Sequence, residues 1–216
     1  MKKNCTEVVF ILDRSGSMCG LEKDTIGGFN SLINKQKKQD WEVLVSTVLF
    51  NDSSVVIHDR KPIEKVRLMT NKDYEVYGCT ALLDALGSSI HHIGNVHKYA
   101  RIEDVPEHTM FVIITDGMEN ASRYYSKERV KSMIEYEKEK YGWEFLFLAA
   151  NMDAIDTASQ YGIDKDHAVN YQCDSVGTRL NYEVLDEAIQ CICSGVPLSK
   201  SWKSKIEGNP QLDRVD

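Results

Sequence analysis

No apolar run in this 216-residue chain approaches the length of a membrane span. Positive charge is in deficit: 26 Lys and Arg face 33 Asp and Glu, a net charge of -7. That balance argues against non-specific nucleic-acid binding and against an anionic membrane surface. Cysteine is sparse, and the six that occur are scattered rather than spaced as a disulfide framework. Internal repeats, low-complexity segments and an interdomain linker are all lacking. What remains is an ordinary globular balance, 42% hydrophobic and 27% charged, long enough for one well-buried domain. The first residues are basic, but Glu7 interrupts the apolar run that a secretory signal would need. The start therefore reads as mature, and the expected compartment is cytoplasmic.

The apolar pattern alternates between two periods. Residues 8–12 and 110–114 are continuous apolar runs, as expected of strands buried on both faces of a sheet. Residues 43–50 and 145–149 read as further strands, and Ala168 and Val169 as a short last one. Residues 55–57 return directly from the second strand across Asn51-Asp52-Ser53, so they form an antiparallel hairpin at a sheet edge. Helical spacing marks residues 21–39, a helix starting just after Thr80, residues 126–140, a short helix over 153–161 stopped by Gly162, and a final helix. That final helix carries a stripe of Leu180, Val184, Leu185, Ala188, Ile189 and Ile192. Residues 60–76 give no clear pattern, and 94–107 read as loop. Strands alternating with helices indicate an α/β domain with a mostly parallel sheet. The domain is expected over residues 5–196. The polar tail, 197–216, is expected either to be disordered or to strap across the body.

The chemistry gathers where the first strand ends. Asp13, Ser15 and Ser17 alternate in Asp13-Arg14-Ser15-Gly16-Ser17, and Gly16 permits a tight backbone there. A carboxylate and two hydroxyls make a hard-oxygen set, suited to Mg²⁺ or Mn²⁺ rather than Zn²⁺. Asp116 ends the second continuous apolar run, and ligands in open α/β sheets sit at the carboxyl ends of strands.

The Asp13-Arg14-Ser15-Gly16-Ser17 segment resembles the DxSxS signature of von Willebrand factor type A domains of the bacterial, stand-alone kind. Those domains hold one divalent cation in a metal ion-dependent adhesion site. In them a second loop supplies a threonine and a third an aspartate. Thr80, in Gly78-Cys79-Thr80-Ala81, and Asp116, in Thr115-Asp116-Gly117, look like those two residues. The resemblance covers roughly residues 5 to 196. It implies a doubly wound, Rossmann-like fold of strand order 3-2-1-4-5-6, with helices on both faces and one antiparallel edge strand. It implies that Ser15, Ser17 and either Thr80 or Asp116 ligate the metal directly, with Asp13 and the remaining member partly acting through water. The function implied is binding: a partner protein donates a Glu or Asp to an open coordination position. Coupling to movement of the last helix, here 178–194, is also implied.

Blander readings stand beside these. Asp13, Ser15 and Ser17 are each good helix caps, and Asp116-Gly117 could be a simple turn. Arg14, Met18, Met118, Glu119, Asn120, Asn151 and Asp153 either select the partner or are ordinary loop residues. Cys19 and Cys79 adjoin the metal loops and are expected to be small buried thiols rather than a redox latch. His91, His92 and His97 lack the spacing of a helical zinc pair and read as a solvated helix end. The competing activity is a Mg²⁺-dependent phosphohydrolase of the haloacid dehalogenase type, which also starts from a strand ending in Asp. That chemistry needs a second acid two residues later, where this chain has Ser15. The chain is therefore expected not to be an enzyme. A third reading is a structural domain that binds no ion.

Overall fold

The computed structural model describes residues 1–208. Its elements run β1 (Lys2–Asp13), α1 (Glu22–Gln36), β2 (Glu42–Phe50), β3 (Ser54–Pro62), α2 (Leu82–Tyr99) and β4 (Pro106–Thr115). There follow α3 (Lys127–Tyr141), β5 (Glu144–Ala149), α4 (Ala154–Gln160), β6 (Ala168–Asn170), α5 (Ser175–Cys193) and α6 (Ser204–Glu207). The six strands form one sheet in the order β3-β2-β1-β4-β5-β6. All neighbours are parallel except β2 and β3. This is the expected doubly wound α/β architecture, with β3 as its antiparallel edge.

Alternation along the strands builds the two faces. Val8, Phe10 and Leu12 of β1 and Met110, Val112 and Ile114 of β4 face one side, against Phe29 of α1 and Val184 and Leu185 of α5. Val9 and Ile11, with Phe111 and Ile113, face the other side, against Leu86 of α2, Val130 of α3 and Ala154 of α4. The central runs of β1 and β4 are thus apolar at every position because both sides are covered.

Element ends depart from the sequence pattern where backbone pairing carries polar residues into order. β1 begins at Lys2, six residues before its apolar run, because Lys2 pairs with Pro106 and Thr6 with His108 of β4. Within that extension Glu7 is fully buried, its carboxylate held by Arg60 Nε at 2.7 Å and His97 Nε2 at 2.7 Å. The helix α2 continues to Tyr99, so the first part of the 94–107 stretch is helical rather than loop. His97 is accordingly not a solvated helix end: it also packs edge-on against Trp143. His92 instead meets Asp59 at the surface. Other ends lie close to expectation: α3 starts after its cap Ser126 and ends at left-handed Gly142, and α4 starts after its cap Asp153 and stops before left-handed Gly162, whereas α1 ends at Gln36, three residues short of the expected 39. In the tail, Trp202 and Ile206 are buried in the α1–α5 side of the core, and Trp202 Nε1 donates to Asp166 O at 2.8 Å. Residues 209–216, the end of the expected tail, lie outside the described residues. Among the described residues no helix is long and apolar enough to cross a membrane.

Candidate metal centre

Parallel pairing of β1 with β4 sets Leu12 beside Ile114, so the two chains leave the sheet together, one into Asp13 and the other through Thr115 into Asp116. Asp13 is 1% exposed. Its Oδ1 accepts the Ser15 backbone N–H at 2.7 Å, and its Oδ2 accepts the Thr115 hydroxyl at 2.5 Å. Burial raises its pKa to about 6, against the lowering effect of those bonds. Ser15 Oγ lies 3.1 Å from Ser17 Oγ, and Ser17 Oγ donates to Asp116 Oδ1 at 2.5 Å.

Thr80 is delivered by the long connection after β3. That segment is clipped to the first loop by Gly16 N–H on Gly78 O at 3.0 Å and Tyr77 N–H on Arg14 O at 3.1 Å. A Cβ on Gly16 would stand 3.3 Å from Gly78 O, so glycine here serves close approach of two backbones. Gly117 reports the convergence of all three loops. A Cβ built there would lie 2.8 Å from Thr80 Oγ1, 3.1 Å from Ser17 Oγ and 3.6 Å from Ser15 Oγ. Ser15, Ser17 and Thr80 therefore meet around one small space that glycine keeps clear, with Asp116 bonded to Ser17 and Asp13 held behind them against Ser15 N–H and Thr115.

The donor chemistry fits a hard divalent cation: two carboxylates and three hydroxyls, with nitrogen absent. Among the described residues no group of three or more His, Cys, Asp and Glu is placed to hold a metal, so a zinc site of nitrogen and sulfur ligands has no counterpart. The capping alternative fails. α1 starts at Glu22 after Leu21, with no side-chain cap, and neither does Ser15 cap the short 3₁₀ turn Gly16–Met18.

Several residues carry the site without announcing themselves in the sequence. Tyr74, buried in the stretch that gave no pattern, donates its hydroxyl to Asp13 O. Tyr171 reaches Thr115 O at 3.4 Å from the opposite side. Cys173 Sγ stands 3.5 Å from Asp116 Oδ2, and burial pushes its thiol up to about 11, so it is held protonated. Only a shared environment relates these residues, and no local spacing reveals it.

The loop residues divide. Asn120 is structural: its Oδ1 accepts Thr80 N–H at 2.9 Å while its own N–H donates to Thr80 O at 3.0 Å. Glu119 caps α2, accepting Leu83 N–H at 2.8 Å, and orders its own loop through Ala121 and Ser122 N–H. Met18 is buried core, and Arg14 is buried over the Tyr77 ring. Asn151, in the left-handed region at φ 56°, directs its Nδ2 to Asp116 O at 3.4 Å. Met118 stays free, 71% exposed. Cys19 and Cys79, expected to be buried, are both exposed, because the loops that hold them lie outside the sheet.

Solved structures share this fold. The von Willebrand factor domain of the type V pili tip protein Mfa5 from Porphyromonas gingivalis superposes with a TM-score of 0.62 at 10% identity, covering 90% of this chain and 97% of that one. The fold is that of a von Willebrand factor type A domain. A mutant of the PilB minor pilin from Streptococcus sanguinis matches with a TM-score of 0.55 at 12% identity, over 88% of this chain and 62% of that one. Proximal thread matrix protein 1 from the mussel byssus, with zinc in its metal ion-dependent adhesion site, matches at 0.57 and 14% identity, over 87% and 47%. The chain thus spans less than two thirds of the length of the pilin and of the mussel protein. No protein-family model matches the sequence, and no curated protein matches it.

Proposed function

We propose that this domain binds one divalent cation, Mg²⁺ or Mn²⁺, through Asp13, Ser15, Ser17, Thr80 and Asp116, and through it an acidic side chain of a partner protein. The observation that carries the reading is the convergence of three hydroxyls on the space beside Gly117 from two separate loops, with the Asp116 carboxylate of a third bonded to Ser17 and that of Asp13 bonded to Ser15 N–H. Hydroxyls are neutral ligands, so a cation held largely by them keeps enough charge to attract a carboxylate from outside. Ser17 is exposed, which leaves a route for that carboxylate to arrive.

Binding rather than hydrolysis suits the same geometry. Both oxygens of Asp13 are engaged and the residue is buried, a poor disposition for a nucleophile. Ser15, where a general acid would be needed, cannot supply a proton near neutral pH. A cytoplasmic setting is supported by six free cysteines, which suit a reducing compartment.

Titration calorimetry with MgCl₂ and MnCl₂ tests the first half of the proposal. The second half is tested by using the domain as bait with Mg²⁺, with EDTA, and as Ser17→Ala. A protein retained by the wild type with Mg²⁺ alone, and released by a competing Glu-containing peptide, is the expected result. Identical retention in all lanes would remove the metal from the interaction. Phosphatase turnover with Mg²⁺, abolished by Asp13→Asn, would replace binding with catalysis.

A further inference from the structure

A groove of about 470 Å³ opens directly beside the metal cradle and shares Gly117 with it. Its floor is apolar and firmly set: Leu82, Leu83 and Tyr161 are all buried. Two methionines form its walls, Met118 projecting into solvent and Met152 half-buried. Flexible thioethers around a fixed apolar floor accept Leu, Met or Phe side chains of differing shape. The far rim is acidic. Asp153 and Asp156 are exposed and form no ion pair among the described residues. The one cation on that rim, Lys127, is directed to Gln160 Oε1 at 2.8 Å.

The depression beside Thr80 differs: it is lined by Asp52, Cys79, Asn120, Ala121, Ser122 and Arg123, with no large apolar side chain. A chain whose carboxylate sits at the cradle can bury an apolar side chain across Gly117, between the methionines, and not in the polar depression beside Thr80.

We infer that the groove is the second half of the partner site, and that it receives a segment carrying an acidic residue, then an apolar residue, then Lys or Arg. The acidic residue meets the metal, the apolar side chain fills the space over Leu83, and the basic side chain pairs with Asp153 and Asp156. This inference rests on the metal-binding reading above. Apolar burial supplies affinity here and the Asp153 and Asp156 pairs set direction, since a segment turned towards the depression beside Thr80 would leave its apolar side chain among polar residues and meet Arg123 as well as Asp52.

Short immobilised peptides with a fixed central Glu and randomised flanks test it, probed with the purified domain in Mg²⁺ and in EDTA. Mg²⁺ affinity is measured in parallel by calorimetry. Peptides retained only with Mg²⁺ are expected to be enriched in Leu, Met or Phe on one side of the Glu, with Lys or Arg beyond. Asp156→Lys should exchange that basic preference for Asp or Glu, and Met118→Ala should weaken the selected peptide about tenfold or more. Metal-dependent peptides with no apolar preference, or preferences unchanged in both variants, overturn the groove and leave the metal reading intact. A wild type that binds Mg²⁺ but retains no peptide also overturns the groove. Failure to bind Mg²⁺ removes the metal reading itself.

Discussion

Gly117→Ala separates the metal cradle from the fold that builds it. The backbone of Gly117 is not in the left-handed region, so alanine meets no conformational objection there. Its methyl group does meet the cradle, at 2.8 Å from Thr80 Oγ1 and 3.1 Å from Ser17 Oγ. Ordinary contact needs about 3.5 Å, so Thr80 must retreat by roughly 0.7 Å, or the loop must move with it. Mg²⁺ holds its ligands at about 2.0–2.1 Å in near-octahedral geometry and tolerates little displacement. Losing one direct oxygen and crowding a second should weaken Mg²⁺ at least about tenfold, or about 1.4 kcal/mol. The loss of stability without metal should be smaller, about 1 kcal/mol, because only side-chain ends at the rim are displaced. Calorimetric titration with MgCl₂, beside thermal unfolding in EDTA, reads both quantities. Gly142→Ala is the control. It forces alanine into φ 66° in open space at the end of α3. That change should destabilise by about 1 kcal/mol while leaving Mg²⁺ affinity unchanged. Wild-type Mg²⁺ affinity in folded Gly117→Ala would refute the placement of the ion.

Without metal, the buried Asp13 carboxyl titrates near 6 when folded and near its ordinary 3.8 when unfolded. Its contribution is therefore fully present below about pH 4 and lost as pH rises through about 6, amounting to about 3 kcal/mol. Urea midpoints in EDTA should fall across that window, and Asp13→Asn should flatten the fall; an equal slope in both proteins would contradict the assignment. Tyr74→Phe removes the hydroxyl that holds Asp13 O. It should cost about 1 kcal/mol of stability and also weaken Mg²⁺ severalfold by calorimetry, whereas an unchanged affinity would make Tyr74 mere packing. Arg60→Ala strips the fully buried Glu7 of its guanidinium partner. A loss of about 3 kcal/mol in chemical denaturation is expected, and a loss below about 1 kcal/mol would show that His97 suffices.

The sheet was legible because its central strands are wrapped on both faces. A run such as residues 8–12 or 110–114 has no polar position and so no second interpretation. The hairpin of β2 and β3 and the helix stop at Gly162 were equally local in origin, set by chain reversal and by left-handed backbone. Ends were less legible. Lys2–Glu7 joins β1 and 94–99 joins α2 because neighbouring backbone and a buried Glu7–His97 contact hold them, and polar side chains do not advertise such order. The exposure of Cys19 and Cys79 belongs to the same class, since it depends on where loops stand above the sheet.

The candidate site divides along the same line. Asp13, Ser15, Ser17 and Asp116 are identifiable from residue type and from their position after apolar strands, and Thr80 from the resemblance to von Willebrand factor type A domains, so the sequence by itself determined that much. Spacing could not show that β1 and β4 are neighbours, which the resemblance implied and the tertiary structure bears out, and the tertiary structure alone decided that Thr80 is clipped to the first loop by Gly78. It likewise placed Tyr74 and Tyr171 behind the two strand ends, Cys173 against Asp116, and the methionine groove beside Gly117. The physical reason is range. Strand and helix patterns arise from side chains a few residues apart, whereas convergence at Gly117 joins segments separated by up to about a hundred residues, and only the sheet's crossing order brings them together.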